Sequence, residues 1–204
     1  MKNEDSMESQ IKSFWDWFAG VAPILADTPN RADLLAELDK RVTRMNPALS
    51  WEIGPGLQES WQLVISPSLS RELRNATSRI VKLAPRIEEW EFHSSRQVKD
   101  WDFTFQLSRS EGEFIDIDAS RWTFVLLRYP DGLKEVLLKA DHLPRSLNEE
   151  DRHEAAAIAL EGVLGEELFL QAIDDFDLVD VLEDRFLGKD RPIKSLRRAI
   201  LGQQ

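Results

Sequence analysis

In the segment "FIDIDAS", Asp116 and Asp118 stand two residues apart, a spacing that puts both carboxylates on one side of a strand. Two acids so placed can share a proton or hold an ion. The same alternation also describes the wet face of an antiparallel strand. "WEFHSSR" contributes an imidazole, His93, and a permanent cation, Arg96. His93, Arg96, Asp116 and Asp118 are thus the set from which a small-molecule enzyme with a site on its sheet would be built. Glu150, His153 and Glu154 recur at helical spacing and can face one metal ion, although acids gather in the first turn of a helix for electrostatic reasons alone. None of the three histidines, His93, His142 and His153, stands in an HxH or HExxH arrangement. The chain has no cysteine, which excludes disulfides, thiolate nucleophiles and cysteine-ligated metals. It also lacks a GxSxG elbow and a glycine-rich phosphate loop. Neither a metal nor a cofactor is expected.

Charge is the stronger signal. Between Asp141 and Asp190 there are 15 acidic and four basic residues, so this region carries the whole net charge of -11. Such a surface repels phosphate backbones and steers a basic protein towards itself, which argues against nucleic acid as a ligand. Within it, "AIDDFDLVDVLEDR" interleaves Asp174, Asp175, Asp177 and Asp180 with Phe176, Leu178 and Val179. That alternation suits docking to a basic partner, with charge setting the encounter rate and apolar side chains supplying affinity. It equally suits an edge strand guarded by acids against aggregation.

These residues need elements to position them. Ile11, Phe14, Trp15, Phe18 and Ala22 recur at three- and four-residue spacing, predicting a helix ending near Gly20 with its apolar face inward. Trp17 lies off that stripe and is the candidate for a second contact, or else a rim tryptophan covered by a neighbour. Thr28 and Pro29 are placed as the start of a second helix, whose stripe is Leu34, Leu35, Leu38, Val42 and Met45. "LSWEIG" and "WQLVIS" read as a hairpin, followed by a helix with Leu69, Leu73, Ala76, Ile80 and Leu83 inward. Arg71, Arg74 and Lys82 form a basic stripe opposite that face. From Trp90 the period changes to two, through "WEFHSS", "WDFTFQL" and "GEFIDID", to two strands about Pro130-Asp131-Gly132. A helix capped by Ser146 or Asn148, a strand near "DFDLVDVL" and a short helix close the chain.

The fold class is α+β: a mainly antiparallel sheet, an N-terminal helical pair, a helix after the first hairpin, and C-terminal helices. No linker divides the chain, so residues 1–204 are read as one domain, or as two abutting lobes, 8–95 and 101–204. "FWDWF", "WEIGP", "LVISP" before a helix, and "WEFHSSR" resemble, in that order, a set of uncharacterised small bacterial proteins that open on a Phe-Trp-x-Trp-Phe element. The resemblance spans about the first 100 residues and implies fold features only; no site residue follows from it.

The polar, acidic start "MKNEDSMESQ" is not a secretory signal, and no apolar run reaches the roughly 20 residues that span a bilayer. A cytoplasmic protein without membrane association is expected. Its function is read as non-catalytic protein binding, with the acidic carboxy-terminal third docking a basic partner through Asp174, Asp175, Phe176, Asp177 and Asp180. Trp17 is a further contact. Toxin-neutralising immunity proteins share this profile. The alternatives are the sheet-borne enzyme above and a self-associating module that uses Trp17 and the first helix.

Overall fold

The computed structural model of the chain describes residues 2–108, 113–140, 143–144 and 146–202, and for residues 2–6 the backbone alone. His142 lies outside the described residues. The fold is α+β, with six α-helices and nine strands among those residues. The chain divides into two compact units, Met1–Arg96 and Gln97–Gln204.

The first unit opens with helix α1 (Lys2–Asp27) and helix α2 (Ala32–Met45). Strands β1 (Ser50–Pro55) and β2 (Trp61–Ser66) pair antiparallel, and helix α3 (Arg74–Lys82) carries the chain to β3 (Trp90–His93). That crossover makes β3 parallel to β2, so the sheet order is β1-β2-β3 rather than a continued run of hairpins. A helix between two strands is long enough to bring the second back in the same direction.

α1 does not stop near Gly20. It runs through Pro23 to Asp27, because the apolar stripe continues inward at Ala22 and Leu25 while Pro23 faces out. The carbonyl that Pro23 leaves without a donor is thereby on the wet side. Phe14, Trp15 and Phe18 are at most 2% exposed, and Trp15 donates its indole N–H to the Ile80 carbonyl at 2.8 Å. Phe92 meets Trp15 edge-on at 4.7 Å and Trp90 meets Phe18 edge-on at 5.0 Å. α1 thus supplies most of the core that Leu38, Val42, Leu63, Ile65 and Ile80 complete.

Thr28 does not cap α2. Its N–H closes the last turn of α1 on Ile24, and α2 begins four residues later behind Arg31, whose guanidinium forks onto Asp33 at 2.6 and 2.8 Å. On α3, Ile80 and Thr77 face inward, whereas Leu83 is 48% exposed. α3 ends at Lys82, so Leu83 no longer follows the helical phase.

The second unit begins with an antiparallel pair, β4 (Thr104–Ser108) and β5 (Phe114–Asp118). Trp101 precedes β4 yet stacks on Phe105 at 5.8 Å and lies against Gly162, where a Cβ would come within 2.3 Å of the indole. Strands β6 (Thr123–Arg128) and β7 (Lys134–Lys139) form the expected hairpin, with Gly132 at φ +93°. Helix α4 (Glu149–Leu164) is capped by Asn148, whose side chain and that of Asp151 exchange backbone N–H bonds as a capping box. Helix α5 (Glu166–Ala172) leads into β8 (Asp175–Val179), which pairs parallel with β7. Strand β9 (Arg191–Pro192) and helix α6 (Leu196–Leu201) follow. The sheet order is β8-β7-β6-β9, so the acidic strand is an edge. No helix among the described residues is long and apolar enough to cross a membrane.

Candidate functional site

Side chains on β8 alternate between two environments. Phe176 and Leu178 face inward: His153 of α4 stacks on Phe176 at 4.5 Å, and Phe169 of α5 meets it at 5.5 Å. Phe176 is therefore a half-buried packing residue and not an exposed anchor. Asp175 and Asp177 are exposed on the other face. In the register, Asp175 lies beside Glu135 and Asp177 beside Leu137, so three carboxylates share one end of that face.

The free edge of β8 is engaged in part by side chains of the strand and of α4. The Asp175 carboxylate accepts the N–H of Phe176 at 2.9 Å, and the Asp177 carboxylate accepts the N–H of Leu178 at 2.8 Å. Arg152 reaches from α4 to donate to the Leu178 carbonyl at 3.1 Å and to Asp180 at 3.0 Å. The N–H groups of Phe176 and Leu178 and the Leu178 carbonyl are thus less available to another strand. Asp174 has a different task. It accepts the Lys134 N–H at 2.9 Å while its own N–H donates to the Lys134 carbonyl at 2.8 Å, which ties the start of β8 to β7.

Tyr129, the only tyrosine in the chain, stands 44% exposed at the tip of the β6–β7 hairpin and donates its hydroxyl to Glu135. That bond raises the Tyr129 pKa, burial and the Glu135 charge raise it further, and Arg185 and Asp175 act on it from nearby in opposite senses. Leu133 beside it is also exposed, at 48%. Among the described residues no ion pair reaches Asp175, Asp177 or Glu135. An aromatic and an aliphatic side chain amid acids that no ion pair neutralises is a surface suited to a cationic protein.

The other sequence-predicted residues fall elsewhere. Asp116 and Asp118 do share one face of β5, and it is an exposed face that also carries Phe114. Asp116 accepts from Gln106 at 3.0 Å. Ser120 holds the Asp118 carboxyl below the usual carboxylate range, through its side chain first and its backbone N–H second. Two acids sharing a proton would shift one of them upward instead. His93 and Arg96 belong to the first unit. Arg96 donates to the Ser50 hydroxyl at 2.9 Å and lies 3.4 Å from Glu52. His93 meets Glu91 at 3.0 Å. Trp17 is half-buried against the core, with the Arg41 guanidinium over its ring at 4.8 Å.

No protein-family model, curated protein or solved structure matches the chain.

Glu91 is the functional-looking residue that sequence reasoning passes over. Only 12% of its side chain is exposed, and its carboxylate accepts the N–H groups of Leu57, Gln58 and Glu59 at 2.5, 2.9 and 3.2 Å. Burial opposes its charge, but the His93 ring and the three N–H groups outweigh burial and hold the carboxyl at about 2, against an ordinary 4.5. The β1–β2 loop is an anion-binding concavity whose anion is supplied by the chain itself. No spacing signals this, because Glu91 lies more than 30 residues from the loop it organises. Tyr129 and Glu135 were detectable in principle: they flank the clearest turn in the sequence. Among the described residues, no three histidine or acidic side chains converge as metal ligands would.

Proposed function

We propose that this chain is a non-catalytic, cytoplasmic protein whose second unit binds a basic partner protein, in the manner of immunity proteins that neutralise a toxin by occupying it. The observation that carries this reading is the trio of the exposed Asp175 and Asp177 and the half-buried Glu135, adjacent across two strands and in no ion pair among the described residues. Like charges held side by side destabilise a sheet. A partner that supplies lysine or arginine relieves that repulsion, and Tyr129 and Leu133 supply apolar contact beside it. Because the β8 edge is engaged in part by Asp175, Asp177 and Arg152, the partner docks side chains onto the face and does not add a strand. Trp17 and Phe176 are left out of this surface, since each is engaged within its own unit. An acidic face also disfavours nucleic acid.

The test is capture of partners by the tagged full chain from lysate of its source cells, at low and at high ionic strength, with Tyr129→Ala alongside. A stoichiometric basic protein, released by salt and weakened by Tyr129→Ala, is the expected result. A partner that is acidic, or that is indifferent to both salt and Tyr129→Ala, overturns the reading.

A further inference from the structure

A second surface, independent of the acidic face, lies in the first unit. Between α1 and α2 runs a groove of about 420 Å³, lined by Ser9, Gln10 and Ser13 from one helix and by Lys40, Arg41 and Arg44 from the other. Phe14 and Met45 form its floor, and both belong to the core. The helical phase explains the convergence. Lys40 and Arg44 are one turn apart on α2, as Ser9 and Ser13 are on α1, so each pair projects to the same side of its helix. The volume is in the range of small-molecule sites.

Charge in the groove is unbalanced. Among the described residues Glu37 is its one acid, against three cations. Glu37 contacts the Nε edge of Arg41 at 2.7 Å and Lys40 at 3.7 Å. Arg44 has no partner among the described residues. Arg41 lies against Glu37 at its Nε edge and over the Trp17 ring at 4.8 Å, which limits the freedom of its guanidinium. Donors fixed before binding lose little entropy when a ligand arrives. Opposite them stand two hydroxyls and an amide, which complete a polar shell without adding negative charge.

We infer that this groove is a binding site for a small phosphate-bearing molecule, held by Arg41 and Arg44 with Lys40 as a mobile third cation and Ser9 and Ser13 as hydroxyl donors. Arginine forks match phosphate oxygens two at a time, and an ammonium on a flexible stem follows the ligand's remaining charge. Lys40 is only loosely held by Glu37 and is free to swing to the anion. This assignment gives the basic residues of α2 a task that the acidic face does not need, and either can fail without the other.

The experiment is a titration of the full chain with inorganic pyrophosphate at constant ionic strength, followed by calorimetry and by two-dimensional NMR of amides and tryptophan indoles. Sulfate serves as the competing anion. Single-site saturation is expected, with shifts concentrated at Ser9, Ser13, residues 40–44 and the Trp17 indole. Arg44→Gln, an exposed position, is expected to weaken binding about tenfold, the effect of losing one charged hydrogen-bonding partner. Lys82→Gln on α3 is expected to change it less than about twofold, as a surface charge away from the groove should. Absence of saturable binding, equal weakening by both variants, or equal affinity for sulfate overturns the assignment.

Discussion

In the first unit Glu91 lies beneath three backbone N–H groups and a histidine, whereas in the second Asp175 and Asp177 stand in solvent with one N–H each. The contrast extends to whole units: Met1–Arg96 has 14 acidic and 12 basic residues, and Gln97–Gln204 has 23 and 14. In the first unit several acids are used as structural ligands or ion-pair partners, among them Glu91, Asp39 on the Trp51 indole, Glu8 on Arg79 and Glu37 on Arg41. In the second the acids of β8 engage part of an edge and face outward. A charge held from inside contributes to stability, and a charge left outside is available to a partner.

Substitutions can break this contrast, and the largest effect belongs to the aromatic core. Trp15→Ala is expected to cost about 3–5 kcal/mol, since it empties a fully packed site and removes the donor to Ile80. Urea unfolding followed by near-ultraviolet circular dichroism measures it. Trp17→Ala should cost about 1 kcal/mol, because only a rim contact and a cation–π pair are lost. Equal costs would mean that Trp17 is core and that the inside–outside assignment of α1 is wrong.

Glu91→Gln comes next, at up to about 3 kcal/mol near neutral pH. Because the folded carboxyl sits at about 2 and the ordinary one at 4.5, its stabilisation is fully present above about pH 4.5 and is lost as pH falls towards 2. Urea midpoints of wild type and variant should therefore differ most at pH 7 and converge at pH 2–3. A gap that stays constant across that range would show that the charge is not what holds the loop. Gly162→Ala follows, at about 1–3 kcal/mol, as the new methyl must displace the Trp101 ring. A thermal-unfolding midpoint unchanged from wild type would show that the ring yields freely.

Much of this was legible in the sequence because it depends on neighbours. The stripe of Phe14, Trp15 and Phe18, the Pro130-Asp131-Gly132 hairpin, the Asn148 cap and the alternation of β8 all follow from spacings of a few residues. Contacts between distant residues were not legible. The parallel pairings of β3 and β8 depend on helices folding back over the sheet, and the Glu91 nest joins a strand to a loop far upstream. α1 runs past Gly20, where its spacing predicts an end, since a glycine and a proline break a helix only when their face needs the missing groups. The acidic strand showed its composition but not its division of labour. Asp174 anchors β7, Asp175 and Asp177 engage part of an edge, and Phe176 lies under His153.

That division decides how the proposed docking face should be probed. Reversing Asp174 would disturb the sheet, so the pair Asp175→Lys and Asp177→Lys is the useful one. It is to be compared with Glu72→Lys and Glu88→Lys, two exposed acids of the first unit, which change the net charge equally. The measurement is the equilibrium affinity of each doubly reversed chain, and of wild type, for the captured basic partner at one ionic strength. Loss of about 100-fold or more for the β8 pair, with the control within a few-fold of wild type, is the predicted result for charges at an interface. Equal losses in both chains, or full affinity after reversal on β8, would contradict the assignment of the second unit's acidic face as the place where the partner binds.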